Sequence, residues 1–308
     1  MNIKDVIKNF KEIDITENED RGHGNGVSIK VVIPCYCQAK CEFCFNQLTA
    51  ETQEHNYDKF FENLTKSLDF VVENVYGKRS LSLDITGNEP TFDIQVFKKF
   101  LNVIKNYKQY FNKIVLTSNG FHLRELIPFM WGIIDIVNIS VHHHKEETRY
   151  NVFGTHLIPS DTILKAIVQE LNDNGISSTA VTVLYKEYDT DFKRFFDEFT
   201  FWAKSIGFAN VRMRSNFYAK DSFIDDIIYN IKIENESVNS LPGLTTKIIN
   251  DKRNNFETRI LQGVPDLTDY VVGVEMVIDD DGKLYVDYNK RYDVNKDNID
   301  LFEKIYIK

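Results

Sequence analysis

Apolar positions along the chain fall into two alternating rhythms. Residues 28–34 form a short, largely apolar run of strand length, ending at Pro34. From 57 to 76 the apolar residues stand at 57, 60, 61, 64, 68, 71, 72 and 75, the spacing of one helical face, and Gly77 stands where such a helix stops. The alternation then repeats. Strand-like runs occupy 81–86, 113–117, 135–141, 179–184 and 210–214, and helical patterns occupy 94–108, 121–130, 160–174 and 191–206. Ser160 or Asp161 supplies an N-cap to the fourth helix and Gly175 its stop. Six successive β/α units predict an α/β fold with parallel strands and right-handed crossovers. Eight units would close a full barrel, so six predict an open, partial (β/α)6 barrel over residues 28–216.

The flanks break this rhythm. Residues 1–27 are a polar leader segment with one short amphipathic stretch, Ile3 to Phe10. Residues 217–308 form a small α+β C-terminal extension, with helices expected at 222–232, 245–260 and 298–307. Between the last two, 273–278 and 283–287 flank the turn Asp279-Asp280-Asp281-Gly282 and read as a β-hairpin.

Composition narrows the setting. The chain has 308 residues and a formal net charge of −9, which argues against nucleic acid as a partner. No apolar run approaches the roughly 20 residues of a membrane span. Met1 to Lys8 lacks the apolar core of a secretory signal. All 4 cysteines lie between Cys35 and Cys44, a distribution that suits a metal centre in a reducing cytoplasm better than disulfides.

Three of them, Cys37, Cys41 and Cys44, are spaced CxxxCxxC directly after the first strand. Three thiolates on one tight loop can each hold an iron of a [4Fe–4S] cluster and leave the fourth iron open. A zinc site is the alternative, with Cys35, His55 or His23 as fourth ligand. The motif resembles the signature of the radical SAM superfamily, in which an aromatic residue precedes the last cysteine, and Phe43 fills that place. A second element supports the resemblance. Gly87-Asn88-Glu89-Pro90 follows the strand 81–86 and looks like the family loop that grips the amino group of S-adenosylmethionine (SAM), with Asn88 where the family has glycine. Asn tolerates left-handed dihedrals, so a slightly different loop conformation is expected there.

The conspicuous polar clusters fall at the carboxyl ends of the strands, where such folds carry their chemistry. By the resemblance, Ser118 in Ser118-Asn119-Gly120 and Ser140 line the SAM cavity. Arg212 or Arg214 holds the methionine carboxylate, on the expectation that only one of the two faces inward. His142, His143 and His144 stand on an extended run whose side chains point in different directions, so they cannot all chelate one ion. One of them facing substrate or cofactor is the expectation. Cys35 reads as a core thiol or a hydrogen-atom donor.

The resemblance implies an enzyme that takes an electron from a flavodoxin- or ferredoxin-like donor and cleaves SAM reductively. The resulting 5′-deoxyadenosyl radical abstracts a hydrogen atom from substrate. The C-terminal hairpin resembles the twitch and SPASM extensions of peptide-modifying members, without their cysteines, so a single cluster is expected. A ribosomally made peptide is the first substrate reading, through epimerisation, cross-linking or rearrangement. A small metabolite or nucleotide is the second, and a non-catalytic iron–sulfur or zinc module is the reading of another class.

Overall fold

The computed structural model describes residues 26–41, 43–44, 55–184, 192–215, 236–241, 244–251, 256–263 and 275–285. The strands are β1 (Val27–Ile33), β2 (Leu81–Gly87), β3 (Lys113–Ser118), β4 (Ile136–Ser140), β5 (Ser177–Leu184), β6 (Asn210–Ser215), β7 (Glu236–Leu241), β8 (Leu244–Asp251), β9 (Phe256–Gly263), β10 (Glu275–Ile278) and β11 (Leu284–Tyr285). They form one 11-stranded sheet in the order β11-β10-β1-β2-β3-β4-β5-β6-β9-β8-β7. Strands β1 to β6 are parallel neighbours in chain order. The helices between them are α1 (Tyr57–Asn74), α2 (Ile94–Lys105), α3 (Leu123–Met130), α4 (Glu146–Phe153), α5 (Asp161–Asp173) and α6 (Phe192–Ile206). This is the partial β/α barrel that the six-unit pattern predicts.

Period-2 alternation divides each strand between two environments. Ile29, Val31, Leu83, Ile85, Ile114, Leu116, Val137, Ile139, Val211 and Met213 belong to one apolar core with the buried faces of α1, α2, α3, α5 and α6. The other face carries Lys30, Asp84, Lys113, Thr117, Asn138, Ser140, Arg212 and Arg214, between those core positions. Val115 and Val181 are buried but lie outside that core, as residues of the inner face should. The sheet curls round this polar face. Burial first, and then the charges of Arg212 and Arg259, hold the Lys113 ammonium below its usual range.

The extension completes the sheet at both ends. β10 adds parallel to β1, and β11 returns antiparallel to β10 as the expected hairpin. At the other side β9 adds parallel to β6, and β8 and β7 follow antiparallel. The helix expected over 245–260 is therefore absent, and β8 and β9 occupy its place. Thr245, Thr246, Ile248, Ile249, Thr258 and Ile260 are β-branched and favour a pleated surface over a helix. Helices expected at 222–232 and 298–307, and the amphipathic stretch Ile3 to Phe10, lie outside the described residues. Among the described residues no helix is long and apolar enough to cross a membrane.

Candidate active site

The cysteine loop leaves the carboxyl end of β1. Lys40 N donates to Phe153 O (2.8 Å), tying the loop to the end of α4, and Cys44 N donates to Cys41 O (3.0 Å), closing a turn between the second and third cysteines. Cys41 packs in a small apolar cluster with Phe153 and Ile158, lined further by Ala39, Phe43, Cys44 and Tyr150 and separate from the main core. Cys37 accepts from Ala39 N (3.4 Å), and Asn119 Nδ2 points at its sulfur from the end of β3 (3.7 Å). Burial pushes the Cys37 thiol up to about 11, against the amide of Ala39, which favours the thiolate. Cys41 is pushed up to about 12, by burial first and then by the charges of Cys44 and Cys37. The three sulfurs therefore share one field.

The loop after β2 sits beside this one. Gly87 has φ +141°, and a Cβ there would lie 2.8 Å from Ile33 O, so only glycine lets β2 pass so close to β1. Asn88 does not take left-handed dihedrals: His122 and His142 are the non-glycine residues with positive φ among the described residues. Its side chain instead donates from Nδ2 to Cys35 O (2.8 Å), stapling the two loops together. Glu89 is 1 % exposed. Its Oε1 accepts from Thr91 N (3.1 Å), Thr91 Oγ1 (2.6 Å) and Ser118 Oγ (2.7 Å), and its Oε2 from Asn119 N (2.6 Å). Burial raises the Glu89 carboxyl above its usual range, and these donors pull it back down.

Glu89 and Ser118 thus join the loops after β2 and β3 in one buried network. Ser118 spends its hydroxyl on Glu89 and accepts from Gly120 N (2.9 Å). Its neighbour Asn119, in the turn expected to line the cavity, carries the contact to Cys37, and Gln38 Nε2 donates to Asn119 Oδ1 (2.9 Å). Cys35 is buried, donates to Ile33 O (3.2 Å), and has its pKa raised chiefly by that burial.

After β4 the chain turns sharply through His142, whose φ of 56° is left-handed. The His142 ring stands between Phe43 (4.7 Å) and Phe153 (4.8 Å), and its Nδ1 accepts from Val183 N (3.2 Å). Burial lowers its pKa to about 3, so the ring stays neutral. His143 Nδ1 accepts from Lys145 N (2.9 Å), while His144 Nε2 meets Glu198 (2.9 Å). The expected extended run is broken by the turn at His142: the His143 and His144 rings stack on each other (4.4 Å) and both pack against Phe195, while the His142 ring lies apart between Phe43 and Phe153. Arg149, 1 % exposed, donates to the carbonyls of His143 (3.3 Å) and His144 (3.2 Å), pairs with Asp161 and lies over the Trp202 ring. Helix α4 supplies both Arg149 and Phe153, and its Glu-Glu-Thr-Arg-Tyr-Asn-Val-Phe sequence has no apolar stripe to announce it. Tertiary packing holds it.

Ser140 closes β4 and pairs in register with Val181, which pairs with Arg212. Both Arg212 and Arg214 face inward. Positions two apart on a strand share a face, and Val211 and Met213 take the opposite one. The expectation that only one arginine faces the barrel interior is overturned. Burial, then the charges of Arg214 and Arg259, lower Arg212 to about 10.

A family model described as the radical SAM superfamily matches residues 31–199, more than half of the chain. The chain belongs to that superfamily. It is an enzyme of the radical SAM type, whose family cofactors are a [4Fe–4S] cluster and SAM. None of the curated proteins matches it. Its fold is similar to the crystal structure of Streptococcus suis SuiB bound to S-adenosylmethionine, with a TM-score of 0.58 and 14% identity over 94% of this chain and 69% of that one. SuiB bound to its precursor peptide SuiA gives 0.58 and 14%, over 94% of this chain and 68% of that one. The enzyme anSMEcpe with bound AdoMet gives 0.50 and 16%, over 64% of this chain and 54% of that one.

The residues fit the cluster. Among the described residues no three His, Cys, Asp or Glu side chains converge on a single metal ion, and a cubane instead gives each thiolate its own iron. The Cys37 and Cys41 thiols, whose pKa values burial raises, would lose their protons to bound iron, and the apolar wall of Phe153, Ile158 and Phe43 would keep the cluster dry.

Proposed function

We propose that this enzyme modifies a ribosomally made peptide by hydrogen-atom abstraction. The observation that carries the reading is the placement of Cys37, Cys41 and Cys44 on the loop at the carboxyl end of β1, beside the loop after β2 that Asn88 staples to it. Fold likeness to SuiB, solved with its precursor peptide SuiA, supports the peptide substrate. When bound, the cluster and SAM would supply the radical chemistry that removes a hydrogen atom from substrate.

The chain's own residues bind, orient and exclude water. Cys37, Cys41 and Cys44 are the cluster ligands, and Phe43, wedged against His142, fixes the turn that carries two of them. The Glu89 carboxylate is taken up by four donors, so the backbone of Gly87, Asn88 and Glu89 is the acceptor for the SAM ammonium. Glu89 and Ser118 shape the cradle from behind. Ser140 and Arg214, at the mouth of the barrel, are the remaining SAM contacts, with the guanidinium suited to the methionine carboxylate. Cys35, whose thiol is engaged with backbone, is a packing residue and not a hydrogen-atom donor. Residues 28–216 form the catalytic core and 217–308 the extension, and a flavodoxin- or ferredoxin-like protein supplies the electron.

The substrate reading is tested by incubating the reconstituted enzyme, SAM and reductant in deuterated buffer with candidate precursor peptides and with small metabolites. A peptide that raises 5′-deoxyadenosine yield and acquires a mass change or deuterium supports it. Stimulation by a metabolite or nucleotide, with peptides inert, would replace it with the small-molecule reading.

A further inference from the structure

We propose that Asn119 is a positioning residue for the cluster: its amide, aimed at Cys37, raises the reduction potential of the group that Cys37 helps to hold. The inference rests on the reading of Cys37 as a cluster ligand. Asn119 directly follows β3, is buried, and comes to the cysteine loop from a different part of the chain. Its Nδ2 lies 3.7 Å from Cys37 Sγ, and Ala39 N lies 3.4 Å from the same sulfur. Cys37 therefore faces two N–H groups, whereas Cys41 packs against Phe153 and Ile158.

The other atom of the amide fixes its orientation. Phe121 N, a backbone donor, points at Asn119 Oδ1 (3.1 Å), and Gln38 Nε2 donates to the same oxygen (2.9 Å). A flipped amide would turn its own N–H groups against that backbone donor, so nitrogen is the atom that faces Cys37. The backbone is anchored as well, by Asn119 N on Glu89 Oε2 (2.6 Å). One side-chain N–H is thus held toward one sulfur by bonds to three separate residues.

Reduction adds an electron to an iron–sulfur cluster and puts negative charge onto its sulfurs. An N–H aimed at one of them stabilises the reduced form more than the oxidised form, which raises the potential. The apolar wall around Cys41 acts the other way, because burial disfavours added charge. Ala39 and Asn119 offset that wall at Cys37, and only Asn119 does so through a side chain.

The test uses the full chain reconstituted with iron and sulfide, without SAM, and follows the electron paramagnetic resonance of the reduced cluster through a redox titration. Asn119→Leu fills the space and offers no donor. Asn119→Ser keeps an acceptor for Phe121 N in the same turn but is too short to reach the sulfur. In both variants the ratio of reduced to oxidised cluster at a given applied potential should fall about fivefold, the worth of one ordinary hydrogen bond. For a one-electron couple that is a midpoint lowered by about 40 mV. Wild-type protein labelled with 15N-asparagine should also show a 15N coupling to the reduced cluster, lost in both variants. An unchanged midpoint in either variant, with its cluster intact, would overturn the proposal. So would a labelled wild type without the coupling, a result that stands even where a variant fails to fold or to load. A wild type that takes up no cluster would instead remove the ligand reading beneath the inference, so the two failures are told apart.

Discussion

Single residues decide how the two ligand loops stay together, and Glu89 is the clearest case. Its carboxylate receives four donors from Thr91, Ser118 and Asn119. In Glu89→Gln the amide nitrogen must face one of those donors, so a buried donor loses its acceptor. We expect a loss of about 2 kcal/mol in denaturant unfolding, whether or not SAM is present. His142 makes a prediction of a different kind. The unfolded chain takes up a proton at its histidine near pH 6.5, while the folded ring resists until about pH 3. Stability should therefore fall as pH drops below 6.5, by about 1.4 kcal/mol per pH unit from this group. His142→Asn keeps a residue that tolerates the left-handed turn and removes the titrating ring. The difference in unfolding free energy between pH 6.5 and pH 5 should shrink by about 2 kcal/mol in that variant. The cysteine spacing and the Gly87–Pro90 loop were legible as residues because each needs only local geometry. The roles of Asn119 and of the Glu89 network were not, because they depend on which loops the sheet order makes neighbours.

At the scale of elements, the strongly periodic helices and buried strands followed the pattern because their apolar faces match the period of the structure. α1, for example, buries Phe60, Phe61, Leu64, Leu68 and Val71, all anticipated by spacing. α4 escaped because its sequence carries no stripe, and the helix expected at 245–260 gave way to β8 and β9 because β-branched residues pair across strands. The hairpin β10–β11 was legible from its Asp279-Asp280-Asp281-Gly282 turn, but its partner was not. That turn docks under α1: Asn63 Nδ2 donates to Asp281 O (2.8 Å) and Ser67 Oγ to Gly282 O (2.8 Å). Gly282 has φ +77°, and an added Cβ would collide with the Phe60 carbonyl and Asn63. Gly282→Ala should cost about 2–4 kcal/mol, through strain and loss of that docking, measurable as a lowered thermal midpoint. An unchanged midpoint would show that the hairpin contributes little to closing the β1 edge.

For the whole molecule, both free edges of the six-strand core are continued by strands from the C-terminal region, β10 at β1 and β9 at β6. The helix-facing side is apolar and the inner face charged, and the ligand loops all rise at one end. In the proposed reaction such a frame would present its ligand loops over a polar inner face while the outer apolar core supplies the stability. The proposed function requires Cys37, Cys41 and Cys44 to hold a [4Fe–4S] cluster that cleaves SAM. The most direct measurement is anaerobic 5′-deoxyadenosine formation by the iron- and sulfide-reconstituted protein with SAM and a strong reductant, with Cys41→Ala as blank. The wild type should show an iron–sulfur absorbance and form 5′-deoxyadenosine, and Cys41→Ala should show neither above background. A wild type that takes up no iron–sulfur cluster, or a Cys41→Ala variant that cleaves SAM equally well, would contradict it.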